Sequence, residues 1–431
     1  MPGLCGSFVP SAGAAPGGDA MWKSLEFGSA TTRELFHDER SMLACVHIGV
    51  GGQRAVHVSD TAVVAFFGHL TRPEVPPGSM ADGRYAAAYI HDSYTRDAET
   101  FLTRIAGAFA CAIWDRRQRQ LLLITDHLGL RPIYYASRDG WFGFASEFHA
   151  LVADGRVARK LDVGAVADFF HHNYVMGDKT VLCDVKLVPP ASVLTWQNGR
   201  CRLKTYYDLP YPKTPPARSS VATDEMIHET LRGAIRRIVR PGFRYGLSLS
   251  GGLDSRWLAI LCRSEASDIR TFTFGPAESD EVRLAALVAR RLNLSHERVE
   301  LSGSFISEHG ETIARLSGGM YNLTDAQEFP LGPHMSGNVD ISLGGLLGDI
   351  LFGHEMNPLY RRLRRKDVVR YWMWRTQRAR LPGETAQLVF GKRRARMFME
   401  MASASLRQAV DEAPCSRGYQ IAQYVNLRQR Q

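Results

Sequence analysis

Ser248-Leu249-Ser250-Gly251-Gly252-Leu253-Asp254-Ser255-Arg256 is the stretch whose reading decides the fold. It lies between an apolar run, Phe243 to Leu249, and a helical pattern, Arg256 to Arg263. Two adjacent glycines let the backbone turn with its amides pointing inward, and the helix that follows brings the positive end of its dipole, so the loop suits a phosphate anion. Ser250 and Ser255 add hydroxyls. Asp254 would repel a phosphate and makes sense as a ligand for a magnesium ion bridging to it. No lysine follows the glycines, so this is not a Walker A loop. The plain alternative, a tight turn that needs glycine, leaves unexplained the flanking serines, the aspartate at the helix entry and the position after a strand, where open sheets bind ligands.

Outward from this loop the rhythm is strand, helix, strand, helix. Arg270 to Gly275 reads as a strand, Asp280 to Leu292 as a helix and Val339 to Leu343 as a strand. The helix from Asp280 is expected to bury Leu284, Leu287, Val288 and Leu292 on one face, with Asp280 and Glu281 suiting its N-terminus. Such alternation implies an α/β domain with a parallel sheet. The first half differs. Cys45 to Val50, Val63 to Gly68, Gly107 to Trp114, Leu121 to Thr125 and Gly140 to Ala145 are short strand-like runs between turn signals, which suits an α+β domain of stacked antiparallel sheets. The segment DLPYPKTPPARSS has no periodicity and reads as a linker. The expected division is therefore 1–207, a linker 208–222, and 223–431.

With 431 residues, 45% of them hydrophobic, the chain has material for two cores. No stretch approaches the roughly eighteen uninterrupted apolar residues of a membrane helix, and the start MPGLCGSF carries no basic leader, so a cytoplasmic protein is expected. The seven cysteines are scattered without a CxxC pair and are expected to be free thiols. The formal charge of +9 is concentrated after Arg361. The run Arg361 to Arg370 reads as a solvated helical face, with Val368, Val369, Tyr371, Trp372 and Trp374 on its buried side. Attraction of nucleic acid or of an acidic peptide is the other reading of such charge, and no nucleic-acid motif accompanies it.

The loop resembles the SGGxDS pyrophosphate motif of ATP pyrophosphatases that make adenylates. Two further segments resemble the asparagine synthetase family: Thr271-Phe272-Thr273-Phe274-Gly275 with Asp280-Glu281, and Leu343-Gly344-Gly345-Leu346-Leu347-Gly348-Asp349-Ile350-Leu351-Phe352-Gly353, whose usual form is SGEGSDExFGG. The resemblance implies an adenine nucleotide α-hydrolase-like second domain using ATP and magnesium. Asp349 would join Asp254 as a metal ligand, and Ser248, Ser250, Gly251, Gly252, Asp254, Ser255, Phe274, Gly344 and Gly345 would surround the nucleotide. Alone, Asp349 would read as a helix cap after Gly348.

In the first half, Gly107 to Asp115, Asp126-His127-Leu128-Gly129-Leu130-Arg131-Pro132, Ala145 to Leu151, Val185 to Pro190 and Tyr206-Tyr207-Asp208 resemble class II glutaminase domains, an Ntn-hydrolase-like fold. The glutaminase chemistry is expected to be lost. The register puts Pro2 at the nucleophilic cysteine, Phe67-Gly68-His69 at an Asn-Gly-Glu turn and Ala86 at the aspartate that pairs with the substrate's ammonium group; Cys5 aligns with an apolar strand position. The resemblance then implies a ligase that activates a carboxylate as an acyl-adenylate and joins it to an amine on the substrate, a peptide included, as lasso-peptide cyclases and β-lactam synthetases do. The family's catalytic glutamate falls at Leu346, no catalytic residue is assigned, and the family's later lysine has no match in the basic runs of Lys366 and Lys392. The chain is expected to stop short of its relatives, so a partner supplying the remaining part, a non-catalytic paralogue, and asparagine synthesis from aspartate and ammonia stay open.

Overall fold

The computed structural model describes residues 2–9, 16–26, 31–48, 55–72, 83–212, 221–239, 242–265, 268–345, 348, 351, 358–379 and 381–429. The chain forms two compact units, one of residues 1–211, 315–320 and 358–431 and the other of 212–314 and 321–357. The division expected from the sequence groups 358–431 with the second half, whereas by contacts that segment belongs to the first unit.

The first unit is built on two antiparallel sheets. The strands are β1 (Gly3–Phe8), β2 (Thr31–His37), β3 (Ser41–Ile48), β4 (Val56–Val58), β5 (Ala62–Arg72), β6 (Ala106–Asp115), β7 (Gln120–Thr125), β8 (Tyr134–Arg138), β9 (Trp141–Ala145), β10 (Lys186–Leu187), β11 (Ser192–Gln197) and β12 (Arg200–Thr205). One sheet runs β10-β8-β9-β1-β3-β2 and the other β12-β11-β7-β6-β5-β4. Successive strand side chains face opposite sides. In β6, Ala110, Ala112 and Trp114 therefore join Leu4, Phe8 and Leu43 in the core between the sheets. Phe109, Cys111 and Ile113 face the other way, onto Ala87, Ile90 and Tyr94 of the helix Gly83–Asp97. The outer face of the first sheet is covered in the same way, with Cys5, Ala44 and Ala145 meeting Met21, Trp22 and Leu25 of the helix Asp19–Leu25. Burial on both faces is why these strands read as near-continuous apolar runs.

Four helices of the C-terminal segment, Arg365–Ala379, Gly383–Phe390, Lys392–Glu412 and Gly418–Tyr424, complete this unit. They meet the helix Val163–His172, whose N-cap Asp162 accepts from Ala165 N. Phe170 and Phe390 rings stand 4.9 Å apart, His172 Nε2 donates to Ala402 O at 3.1 Å, and Lys179 Nζ donates to Ser405 Oγ at 2.6 Å. On the basic helix Val368 and Trp372 are buried as expected, but Trp374 is 49% exposed. All seven cysteines are free.

The second unit carries β13 (Tyr245–Ser248), β14 (Ile269–Phe274), β15 (Ser295–Val299) and β16 (Ile341–Leu343), all parallel, in the order β15-β14-β13-β16. The helices Leu253–Glu265 and Asp280–Arg291 connect the first three strands. Ser279 caps the second of them, its hydroxyl accepting from Val282 N at 3.3 Å. That helix buries Val282, Ala285 and Ala289 and packs the expected Val288 and Leu292 against the core, while Leu284 and Leu287 stay 41% and 46% exposed, which corrects half of the expected face. Alanines let the helix approach the sheet, and Leu284 is turned toward the loop after β13 instead. No helix among the described residues is long and apolar enough to cross a membrane.

Candidate functional site

The parallel sheet reverses its winding at β13, since β14 and β15 follow on one side and β16 lies on the other. Open sheets take ligands at the carboxyl ends of the strands flanking such a reversal. The segment Leu249 to Gly252 leaves β13 at that end. It is tied to the sheet by Leu249 N donating to Phe272 O at 2.8 Å and Thr273 Oγ1 donating to Leu249 O at 2.5 Å.

The two serines are not idle donors aimed outward. Ser255 Oγ accepts from Ser250 N at 3.1 Å and lies 3.0 Å from Ser250 Oγ, which accepts from Gly252 N at 3.2 Å. The hydroxyls hold the loop in shape, so they pre-order the turn rather than face a ligand freely. Arg256 folds back, its Nε donating to Gly252 O at 3.0 Å. A Cβ on Gly251 would lie 3.2 Å from Glu281 Cα and 3.2 Å from Leu284 Cδ1. This glycine is therefore what lets the helix Asp280–Arg291 cross the loop closely.

Ser248 and Phe274 end the adjacent strands β13 and β14 and are partly buried. Asp254, also partly buried, sits in the first turn of its helix. The glycine-rich segment after β16 comes up against it. A Cβ on Gly345 would stand 3.3 Å from Asp254 Cβ, and one on Gly348 would stand 2.7 Å from both Asp254 Cγ and Oδ2. Gly344 is exposed with nothing near its Cβ direction. Asp349 and Leu346 lie outside the described residues. Among those described, no group of three or more His, Cys, Asp or Glu side chains could hold a metal. The sequence reading missed the close approach of Gly348, whose only signal was a glycine immediately before the aspartate, and that of Leu284.

Pro2 precedes β1, and Cys5 is wholly buried in the layer between the first sheet and its helices, with burial pushing its thiol far up. Phe67-Gly68-His69 is not a turn: it lies within β5, opposite Ala110, Phe109 and Ala108. Gly68 takes a φ of +123°, and a Cβ there would strike Ala108 O. Ala86 lies on the helix Gly83–Asp97 and is partly buried.

The Asp126 to Arg131 segment is ordered by the buried Asp126 carboxylate, which accepts from the backbone N–H groups of Phe109, Leu128, Leu130 and Arg131 at 3.0, 3.0, 3.2 and 3.3 Å. Burial raises its pKa and these four bonds oppose the rise. Arg131 lies over the Phe67 ring at 5.2 Å. Glu147, which follows β9, is raised to about 7 by burial, against the lowering influence of Arg131.

The chain thus joins a unit of stacked antiparallel sheets to an α/β unit whose parallel sheet carries a serine-braced glycine loop at its winding reversal. Residues 87–207 match the glutamine amidotransferase domain family and residues 226–428 match the asparagine synthase family. The chain belongs to the asparagine synthetase family. It is 23% identical over 337 residues to the glutamine-hydrolyzing asparagine synthetase 1 of Bacillus subtilis (strain 168), covering 74% of this chain and 52% of that protein. Against the glutamine-hydrolyzing asparagine synthetase B of Escherichia coli (strain K12) it is 24% identical over 281 residues, 60% of this chain and 45% of the other. Against the amidase chyE of Penicillium rubens it is 23% identical, covering 50% and 33% of the two chains. The chain thus spans about half the length of the curated relatives it matches, or less. Among solved structures, the glutamine phosphoribosylpyrophosphate amidotransferase of B. subtilis aligns with a TM-score of 0.33 and 12% identity, over 71% of this chain and 70% of that one.

Proposed function

We propose that this protein forms an amide bond at the expense of ATP, activating a carboxylate as an acyl-adenylate without hydrolysing glutamine. The observation that carries the reading is the braced loop Ser250 to Ser255 at the carboxyl end of β13, with the backbone of Gly345 and Gly348 pressed against Asp254. Two features support a nucleotide here: Gly251, Gly345 and Gly348 let the backbone close around Asp254 and the loop where a side chain would crowd it, and the first turn of the helix Leu253–Glu265 offers N–H groups with no intrahelical acceptor.

In this reading the loop and helix N-terminus hold the phosphates, and Ser248, Phe274, Gly344 and Gly345 line the nucleotide. Asp254, with Asp349, would hold magnesium, whose chemistry is to neutralise the pyrophosphate as it leaves. A carboxylate oxygen of the substrate attacks the α-phosphorus and the bond to the β-phosphate oxygen breaks, releasing pyrophosphate. An amine nitrogen then attacks the acyl carbon, loses its proton, and AMP departs. The helix dipole at the loop favours the charge that builds on the phosphate oxygens.

The absence of glutamine hydrolysis in this proposal rests on three residues. Pro2 has no nucleophilic side chain, Cys5 is sealed in a core, and Ala86 offers no carboxylate to an ammonium group. The amine would then belong to the second substrate, a peptide among the candidates. A second reading, asparagine from aspartate and ammonia, is favoured by the names of the bacterial relatives. Supplying ammonium and aspartate with ATP and assaying asparagine separates the two.

Calorimetric titration with ATP and magnesium is the direct test. Asp254→Ala is expected to weaken binding by about a hundredfold, on the order of 3 kcal/mol, because the bridging charge is lost. Equal affinity in wild type and variant would sink the proposal.

A further inference from the structure

Part of the basic run of the C-terminal segment lines a groove between two helices. On the helix Arg365–Ala379, Lys366, Val369, Arg370, Met373, Trp374 and Gln377 recur at the spacing of a single helix face. On the helix Lys392–Glu412, Ser403, Arg407, Val410 and Asp411 do the same. The two faces line one groove of about 950 Å³ within the first unit.

One basic side chain fixes the groove's walls. The Arg365 guanidinium donates to the carbonyl oxygens of Val410, Asp411, Ala413 and Cys415, at the C-terminal end of the opposite helix. A cation on those orphan carbonyls is favoured by the helix dipole and ties the two helices together. At the other end Gln377 Nε2 lies 2.9 Å from Met399 Sδ. The two helices are thereby joined at both ends of the groove.

With Arg365 engaged, Arg364, Lys366, Arg370 and Arg407 are left on the rims, all exposed, against the single acidic lining residue Asp411. Arg370 pairs with Asp367 at 3.2 Å, but at 84% side-chain exposure that pair is weak and exchangeable. Between the rims the lining is apolar: Val369, Met373, Val410 and the half-exposed Trp374.

We infer that this groove is a docking site for an acidic segment of another polypeptide, one that sets carboxylates on the rims and an aliphatic side chain on the apolar floor. The charge fixes the sign of the ligand, and the floor decides its class. A nucleic-acid strand satisfies the rims but has no aliphatic group for Val369, Met373 and Val410, and nucleic-acid interfaces are more polar throughout. The lined face from Lys366 to Gln377 is roughly 16 Å long at the helical rise, which an extended peptide covers with about five residues. The inference is independent of the nucleotide site, since every residue it uses lies in the first unit.

The test is fluorescence polarisation on the full chain. The probe is a fluorescein-labelled peptide of about eight residues alternating Glu and Leu, compared with its Lys and Leu counterpart and with a labelled single-stranded oligonucleotide. The acidic peptide is expected to bind, and the basic one is not. Lys366→Glu and Arg407→Glu, both at exposed positions, should each weaken binding about tenfold and make it less sensitive to salt. Arg290→Glu, on an exposed face of the second unit, should leave it unchanged. Thermal melts of each variant confirm that the fold is kept. Failure of the acidic peptide to bind, binding indifferent to both charge reversals, or tighter binding of the oligonucleotide would each overturn the inference, the last in favour of a nucleic-acid site.

Discussion

The clearest energetic consequence of the C-terminal helices packing in the first unit concerns His172. Its ring is 3% exposed, between the helix Val163–His172 and the helix Lys392–Glu412, and Nε2–H donates to Ala402 O. Burial, with a smaller contribution from the Lys179 charge, depresses its pKa from 6.5 to about 4, the Ala402 bond opposing in part. Asp168, ion-paired with Lys179 at 2.5 Å, and His171 are the other titratable groups at this contact. A base whose folded pKa is depressed stabilises the fold above its unfolded pKa, and the stability is lost as pH falls, because only the unfolded chain takes the proton. Between pH 7 and pH 5 the linkage amounts to about 2 kcal/mol for His172 alone. His171 is shifted the same way, so the variant must isolate one ring.

His172→Gln keeps an N–H donor for Ala402 O and removes the titration. Urea unfolding at pH 7 and pH 5, followed by circular dichroism, should show wild type losing about 2 kcal/mol more than the variant over that interval, roughly 4–8 °C in Tm. If both proteins lose the same stability, the ring is hydrated or protonated in the folded state and the placement of these helices is wrong.

Two other outcomes follow from named contacts. Gly348→Ala adds a Cβ that would sit 2.7 Å from the Asp254 carboxylate, so ATP affinity should fall at least tenfold with little change in melting temperature; unchanged affinity by calorimetry would detach Gly348 from the nucleotide site. Wild type and Cys5→Ala should both release no glutamate from glutamine, with or without ATP, and the variant should lose about 1 kcal/mol of stability for the atom removed from the core; glutamate formation that Cys5→Ala abolishes would restore a working glutaminase.

What was legible in the sequence was local. The loop Ser248 to Arg256, the strands around it and the antiparallel runs of the first half are written in glycine placement and short-range period, and the structure puts β5, β6, β7, β9, β13 and β14 within a few residues of those runs. Period alone places Val288 and Leu292 correctly but not Leu284 and Leu287, because Ala285 and Ala289, small enough for close approach, set which side of the helix Asp280–Arg291 meets the sheet. The serine hydroxyls of the loop were read as donors to a ligand, yet Ser250 and Ser255 are spent on each other and on loop amides, a distinction that only geometry reveals. Phe67 to His69 were placed at a turn through the family register, and the chain itself pairs them into β5. The membership of 358–431 in the first unit depends on contacts between residues more than two hundred positions apart, such as His172 with Ala402, which no local pattern encodes.

That last contact bears on what the amidotransferase-like segment contributes to the synthase-like one. The asparagine synthase match spans 226–428, but its final third, from Pro358 onward, packs with the first unit, through His172 to Ala402, Lys179 to Ser405 and Arg428 to His127 O at 2.8 Å. The synthase-like segment is therefore divided between two compact units, and its last part packs against residues of the amidotransferase-like segment. In this packing Ala402, Leu406 and Ala409 of the helix Lys392–Glu412 are each no more than 2% accessible. A buried apolar face of that kind makes deletion of the unit costly by several kcal/mol, on the order of the whole stability of a domain. The first unit thus contributes packing to the synthase-like segment through residues other than Pro2, Cys5 and Ala86.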